Sequence, residues 1–278
     1  PVIGDELEHK YGFPATTPKK VVVVGGGPGG MEAAVTAAQR GHSVTLYEKN
    51  SKLGGQIAHE QHIPFKKDMY HFIEVLAKRC EDAGVDIRLN TEVTPEEVAE
   101  MGADVVMTAV GAKPIIPQIP GIDNAKVTGL KALESETPAV GQKVAILGGG
   151  LVGSEVAIYL DMIGKDVTVV EMKDTWASDA YWMHKVAMDK YIRDSRIDIK
   201  VNTTAKEITD AGIVCNTPDG EILIEADTVL LAAGMKADRA SADGFLNTAP
   251  RVFEIGDAIK AGRVVEAVKL GYYRALDI

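Results

Sequence analysis

One glycine signature is written twice along this chain, as VVVVGGGPGGMEAA from Val21 to Ala34 and as VAILGGGLVGSEVA from Val144 to Ala157. Each copy joins a four-residue apolar run to Gly-x-Gly-x-x-Gly, with Gly25, Gly27 and Gly30 in the first and Gly148, Gly150 and Gly153 in the second, followed by small residues suited to a tightly packed helix. A further strand-like segment follows each and ends in an acid: Glu48 closes SVTLYE and Glu171 closes DVTVVE, each 18 residues after the last glycine of its motif. A lone glycine pattern is common by chance. Strand, glycines, helix and a correctly spaced carboxylate together describe a βαβ nucleotide unit, and repetition strengthens the reading.

The spacing has a chemical reason. The first glycine makes a tight turn, the second lets backbone approach a pyrophosphate, and the third lets helix and strand pack closely. The helix N-terminus then offers N–H groups and positive dipole charge to the phosphates. Pro28 stands in the turn or first helical position, where a missing N–H costs nothing. The terminal acid accepts hydrogen bonds from ribose hydroxyls, whereas a 2′-phosphate would meet it as a like charge, at a cost of about 3 kcal/mol for charges ~5 Å apart at an effective dielectric near 20. Glu171 therefore favours NADH over NADPH, with Lys173 nearby as a softening influence.

Composition sets the outer limits. With 278 residues, 46% hydrophobic and 25% charged, the chain is ordinary for a globular protein and long enough for two domains. A net charge of −10 argues against a general nucleic-acid surface. No run approaches a membrane span, and PVIGDELEHKYGFPATTPKK at the start lacks an apolar signal core, which makes the cytoplasm the default expectation. Beginning at Pro1 without an initiator Met, the sequence reads as a processed protein or a piece of a longer one. Cys80 and Cys215 form no CxxC, CxxxxC or metal-ligand pattern, and neither looks catalytic. His59, His62 and His71 lack the carboxylate or thiol partners of a metal site and read as solvated side chains, so no metal is expected. Trp176, Tyr181 and Trp182 are expected to pack beneath the second sheet, with stacking near a nicotinamide as the alternative.

Along the chain, residues 1–18 read as an arm before a strand at Lys20 to Val24. Met69, Phe72, Ile73, Leu76 and Cys80 fall on one helical face. Val85 to Leu89 reads as a strand, TPEEVAEMG as a short helix capped by Thr94 with Pro95 first, and Asp104 to Val110 as the next strand. GAKPIIPQIPG marks a crossover. The second unit runs on through a helix near Ala180 to Ile192, IDIKV, three short strands (AKEIT, GIVCNT, EILIEA) and TVLLAAG. RVFEIGD and a helix from Val264 to Leu276 complete the first unit. The reading is α/β with two nested Rossmann-type domains: 19–115 and 235–278 for one nucleotide, 116–234 inserted for the other.

In this arrangement the sequence resembles the two-dinucleotide flavoproteins of glutathione-reductase-like fold, in which an FAD domain is interrupted by an NAD(P)H domain. The resemblance rests on GGGPGG with Glu48, LGGQ, TAVGAKP, GGGLVGSE, LLAAG and VFEIGDA, and covers nearly the whole chain. The disulfide reductases of that group carry a CxxxxC pair just after the first βαβ, which is absent here, so a dithiol mechanism is not expected. The short TEVTPEEVAEMGAD connection and the opening PVIGDE make it most similar to the C-terminal region of old-yellow-enzyme-like NADH:flavin oxidoreductases, the group of 2-enoate reductase, 2,4-dienoyl-CoA reductase, bile-acid-inducible flavin oxidoreductases and trimethylamine dehydrogenase. The resemblance implies that Gly25, Gly27, Gly30 and Glu48 hold FAD, with Gly55 and Gln56 over the cofactor, Gly111 after the fourth strand and Asp257 on the ribityl chain or phosphate. It implies that Gly148, Gly150, Gly153, Glu171 and Gly234 belong to the NADH site, and that Glu155 faces the nicotinamide as a catalytic residue. Hydride would pass from NADH to FAD, and electrons onward to a [4Fe–4S] cluster and an FMN barrel of the same polypeptide, for reduction of an activated C=C bond. Nucleic acid and membrane are not expected partners; a homo-oligomer is compatible. A non-catalytic module that binds ADP or FAD, as the resemblance to trimethylamine dehydrogenase allows, stays open, as does a free-standing ferredoxin-type or NADH oxidase reductase.

Overall fold

The computed structural model describes residues 14–278, so PVIGDE and most of the N-terminal arm lie outside the described residues. The described chain divides into two compact units: residues 14–58 with Lys67–Lys113 and Met235–Ile278, and His59–Lys66 with Pro114–Gly234.

The first unit starts with Lys20–Val24 (β1), Pro28–Gln39 (α1), Ser43–Tyr47 (β2), Lys67–Asp82 (α2), Asp86–Arg88 (β3), Pro95–Glu100 (α3) and Val105–Thr108 (β4). Unbroken apolar runs form the central strands β1 and β4, because both faces of the sheet are covered there. Val21 and Val23 pack with α1, while Val22 and Val24 point the other way, against Val98, Val106 and Phe245. From Gly29 to Ala37 every residue of α1 is buried, including Glu32, whose carboxylate accepts from Arg79 Nη1 of α2 at 2.9 Å. Helix α2 buries Ile73, Leu76 and Cys80 as its periodicity predicts, but Met69, in its first turn, is exposed. Helix α3 opens on a complete capping box: Glu97 N–H donates to Thr94 Oγ1 at 3.2 Å, and Thr94 N–H to Glu97 Oε2 at 2.8 Å.

After Ala112–Pro114 (β5), the second unit adds Val127–Thr128 (β6), Lys143–Leu147 (β7), Leu151–Met162 (α4), Asp166–Val170 (β8), Trp182–Asp194 (α5) and Asp198–Lys200 (β9). Thr204–Thr209 (β10), Gly212–Thr217 (β11), Gly220–Glu225 (β12) and Thr228–Leu231 (β13) follow. Its parallel sheet has the order β6-β13-β7-β8-β9. Val144 and Ile146 face α4; Ala145 and Leu147 face the antiparallel meander β10-β11-β12, whose Ile208, Ile213, Cys215 and Ile224 cover them.

The chain then returns through Met235–Ala237 (β14), which pairs with β5, to Arg239–Asp243 (α6), Arg251–Glu254 (β15) and Val264–Leu276 (α7). Strand β15 pairs with β4 in parallel, completing the first sheet as β15-β4-β1-β2-β3. The second unit is therefore an insertion in the first. Helix α7 closes on α1 through two glycines, since a Cβ at Gly271 would stand 2.2 Å from the Gly29 carbonyl oxygen.

Candidate functional site

The two fingerprints have the same geometry, each within its own unit. Gly25 (φ +108°) and Gly148 (φ +112°) turn in the left-handed region that favours glycine. A Cβ there would lie 2.3 Å from the Ala109 carbonyl oxygen and 2.4 Å from that of Ala232. The third glycines are as constrained: a Cβ on Gly30 would sit 2.0 Å from Gly25 O, and one on Gly153 2.0 Å from Gly148 O. The second glycines differ. At Gly27 the nearest neighbour to a Cβ is the Gly55 Cα at 4.0 Å, and at Gly150 it is Asp179 Oδ1 at 3.4 Å. The first turn thus leaves a bare backbone face at its helix N-terminus, the cradle a pyrophosphate needs, while at the second the Asp179 carboxylate lies against that face.

The strand-end acids are matched as well. Glu48 is buried, with Oε2 accepting from Gly26 N–H at 2.8 Å and Oε1 from the N–H of Asn50 at 2.8 Å and its Nδ2 at 2.7 Å. Glu171 is buried, with Oε2 accepting from Gly149 N–H and Oε1 from Lys173 N–H, both at 2.8 Å. A carboxylate has about four lone-pair sites, so each acid is held rigid with capacity left for ribose hydroxyls. The middle residues Gly26 and Gly149, outside the Gly-x-Gly-x-x-Gly pattern, are what orient the acids. The Lys173 ammonium turns instead to Ser178 Oγ at 3.0 Å and makes no direct ion pair with Glu171.

The remaining sequence-selected residues lie in the loops and short turns that follow strands. Gly55 lies against Gly27, with a Cβ there 3.2 Å from Gly27 Cα, and Gln56 is exposed in the 3₁₀ segment Gly55–Glu60. Gly111 (φ +79°) follows β4 and Gly234 (φ +100°) follows β13, with space around the former. Asp257 occupies a single turn, Gly256–Ala258; its Oδ1 accepts from Gly262 N–H at 3.0 Å, and burial raises its pKa above the ordinary carboxylate range.

Glu155, on α4 in the second unit, is buried in a network the sequence did not announce. Its Oε2 is 2.5 Å from Lys66 Nζ and its Oε1 3.3 Å from His184 Nε2, while Lys66 also reaches Glu60 Oε2 at 2.6 Å. Burial lifts the Glu155 pKa, and the Glu60 charge adds to it, outweighing the attraction of Lys66. Burial alone would lower Lys66, but Glu60 and Glu155 together raise it. Because burial dominates, Glu155 holds a proton at higher pH than an ordinary acid even with the ammonium beside it. Lys66 lies in a Pro- and His-containing segment without periodicity, so no local signal marks it.

Lys66→Met removes the ammonium and leaves two carboxylates facing one another, and is expected to cost about 3 kcal/mol of stability at neutral pH. A group with a raised folded-state pKa contributes stability below its unfolded value and loses it above, so the gap from the parent narrows as pH climbs past 10.5. Denaturant melts of both proteins from pH 7 to 11 check this; an equal gap throughout would show that Lys66 acts by packing alone.

The aromatic expectation is corrected in part. Trp176 packs on Ile158, Ala177 and Met188 with Lys185 Nζ 5.0 Å from its ring centroid, but Tyr181 and Trp182 are 60% and 74% exposed, because α5 begins only at Trp182 and its first turn stands clear of the core. Burial pushes the Cys80 thiol up to about 12 and that of Cys215 up to about 11, so neither supplies a thiolate near neutral pH. His59 pairs with Glu134, and His71 with Glu74 at 3.3 Å on an exposed turn. Among the described residues no group of three or more His, Cys, Asp or Glu side chains is placed to hold a metal ion, and no helix is long and apolar enough to cross a membrane.

Known proteins share this arrangement. Residues 19–271 match the family described as pyridine nucleotide-disulphide oxidoreductase. Cinnamate reductase of Clostridium sporogenes is 38% identical over 276 residues, covering 98% of this chain and 41% of that protein. NADH oxidase of Thermoanaerobacter brockii is 34% identical over 284 residues, covering 100% of this chain and 44% of its own length. Among solved structures, a complex of 2-naphthoyl-CoA reductase with 2-naphthoyl-CoA superposes with a TM-score of 0.94 at 35% identity over 100% of this chain and 43% of that one. The chain thus spans less than half the length of these relatives. These matches support flavin and NAD(H) binding in general and agree with the enoate-reductase resemblance. With both fingerprints intact and the match running through both units, the chain is an oxidoreductase module belonging to the pyridine nucleotide-disulphide oxidoreductase family.

Proposed function

We propose that this chain is the electron inlet of an NADH-dependent flavoenzyme. It holds FAD on the Glu48 fingerprint and NADH on the Glu171 fingerprint, and passes electrons to a [4Fe–4S] cluster and FMN barrel of the same polypeptide that reduce an activated C=C bond. The observation that carries this reading is the matched pair of fingerprints, each with its glycine turn packed on backbone and its strand-end acid held by backbone N–H. The relatives named a cinnamate reductase and a 2-naphthoyl-CoA reductase support the substrate class.

FAD bound in the first unit supplies a hydride acceptor that also gives up electrons singly, as transfer to an iron–sulfur cluster demands. Gly25, Gly27 and Gly30 present backbone to its pyrophosphate, Glu48 takes the adenosine ribose, and Asp257 the ribityl chain or a phosphate. Gly55 keeps the loop close over the fingerprint, with Gln56 beside it, and Gly111 leaves room at the end of β4. In the second unit Gly148, Gly150 and Gly153 present backbone to the NADH pyrophosphate and Glu171 takes its ribose, with Gly234 closing the strand end. Glu155 lies two residues beyond the last glycine and faces the nicotinamide, its carboxyl oriented by Lys66 and His184.

A purified protein that is yellow, releases FAD on denaturation and bleaches when NADH is added is the expected result. A colourless protein that cannot be reconstituted with FAD would replace this reading with that of a non-catalytic nucleotide-binding module.

A further inference from the structure

The two helix N-termini differ in one respect that the glycine motif does not encode. At the first, the residue after the second glycine is Pro28, which has no N–H. At the second it is Leu151, and its N–H donates to Asp179 Oδ1 at 2.8 Å. The same carboxylate is the nearest group to the bare face of Gly150, its oxygens 3.4 and 3.6 Å from a Cβ placed there. A negatively charged group thus already sits where the second cradle would take a pyrophosphate.

The segment that brings it there is strapped over the turn. Ala177 donates its N–H to the Gly149 carbonyl at 2.6 Å and adopts φ +45°, a left-handed conformation unfavourable for a buried alanine. On one side Lys173 Nζ reaches Ser178 Oγ at 3.0 Å; on the other Lys185 Nζ binds the Trp176 carbonyl at 2.7 Å and Thr175 Oγ1 at 2.9 Å. Asp179 itself is exposed at the surface of the strap.

We propose that Asp179 is a displaceable anion mimic, a carboxylate that occupies the Leu151 N–H in place of the nucleotide's pyrophosphate and must leave before NADH binds. This rests on the second fingerprint being the NAD(H) site. Two like charges cannot share one N–H at a helix N-terminus, so nucleotide affinity is set by the difference between the pyrophosphate's hold and the internal carboxylate's. The device satisfies an orphan donor while the site is empty and makes pyrophosphate the trigger that moves the strap.

The test uses the full 278-residue chain with FAD in excess, titrated with ADP-ribose and separately with adenosine, which lacks phosphate. Asp179→Ala is expected to bind ADP-ribose about fivefold more tightly than the parent, the worth of one displaced helix cap, and Asp179→Asn, which loses the charge but keeps an oxygen for the Leu151 N–H, to gain less, with adenosine binding unchanged. Both tryptophans of the chain, Trp176 and Trp182, lie in or beside the strap, so ADP-ribose is also expected to change the intrinsic fluorescence of the parent while adenosine does not. ADP-ribose binding that is unchanged or weaker in both variants, or a gain shared equally by adenosine, overturns the latch and leaves the nucleotide site standing. Failure of parent and variants alike to bind ADP-ribose overturns both.

Discussion

Gly30→Ala is expected to yield a protein that no longer retains flavin, whereas Gly153→Ala yields one that stays coloured but is not bleached by NADH. Each substitution inserts a Cβ 2.0 Å from a backbone oxygen, that of Gly25 in the first case and Gly148 in the second. The obstacle is main chain at a left-handed turn, so the helix itself must shift away from the strand. Overpacking of a close-packed site costs about 1–3 kcal/mol where side chains can yield, and more where only backbone can move. A shift of a few tenths of an ångström also withdraws the N-terminal N–H groups from the phosphates, so binding is lost before fold. Absorbance spectra of the two variants, before and after NADH, give the result. The assignment of nucleotides to units would be reversed if Gly153→Ala lost the flavin and Gly30→Ala kept it.

The second large effect concerns the choice of reductant. The parent is expected to prefer NADH, and Glu171→Gln to shift the ratio of kcat/KM values by about a hundredfold toward NADPH. The figure follows from removing a repulsion of about 3 kcal/mol between the carboxylate and a 2′-phosphate. Held by Gly149 N–H and Lys173 N–H, Glu171 cannot swing aside to make room. Lys173 makes no direct ion pair with it, its ammonium being bonded to Ser178; Lys173→Ala should therefore change the preference far less than Glu171→Gln. A parent enzyme that used NADPH better would refute the role given to Glu171.

Much of the architecture was readable because its signals are local. The VVVV and VAIL runs, the glycine turns behind them, Thr94 with Pro95, and the three short strands between AG and PDG turns each rest on near neighbours in sequence. The paired strand β15 was foreseeable for another reason: a nucleotide unit interrupted after β4 needs one more parallel strand, and RVFEIGD was the run left over. Elements without a strong local pattern escaped notice. Two-residue β6 is a strand only because β13 lies beside it, and the 3₁₀ segment Gly55–Glu60 has no periodicity to detect. Tyr181 and Trp182 misled because aromatic residues usually bury their rings, and where α5 begins decides otherwise.

The candidate site divides in the same way. From the amino-acid sequence alone came two glycine turns each followed by an acid, the expectation that they cradle nucleotides, the expected insertion of one unit in the other and the want of a cysteine pair. These depend on spacing along the chain, and a βαβ unit converts such spacing directly into geometry. Tertiary structure alone decided that Gly26 and Gly149 orient those acids, that Lys66 and Glu60 surround Glu155, and that Asp179 rests on the second helix. Lys66 and Glu155 are 89 positions apart in sequence. Contacts at that range are made by folding, which brings charges together in a buried setting where each must find a partner, and no pattern along the chain records which partner it finds.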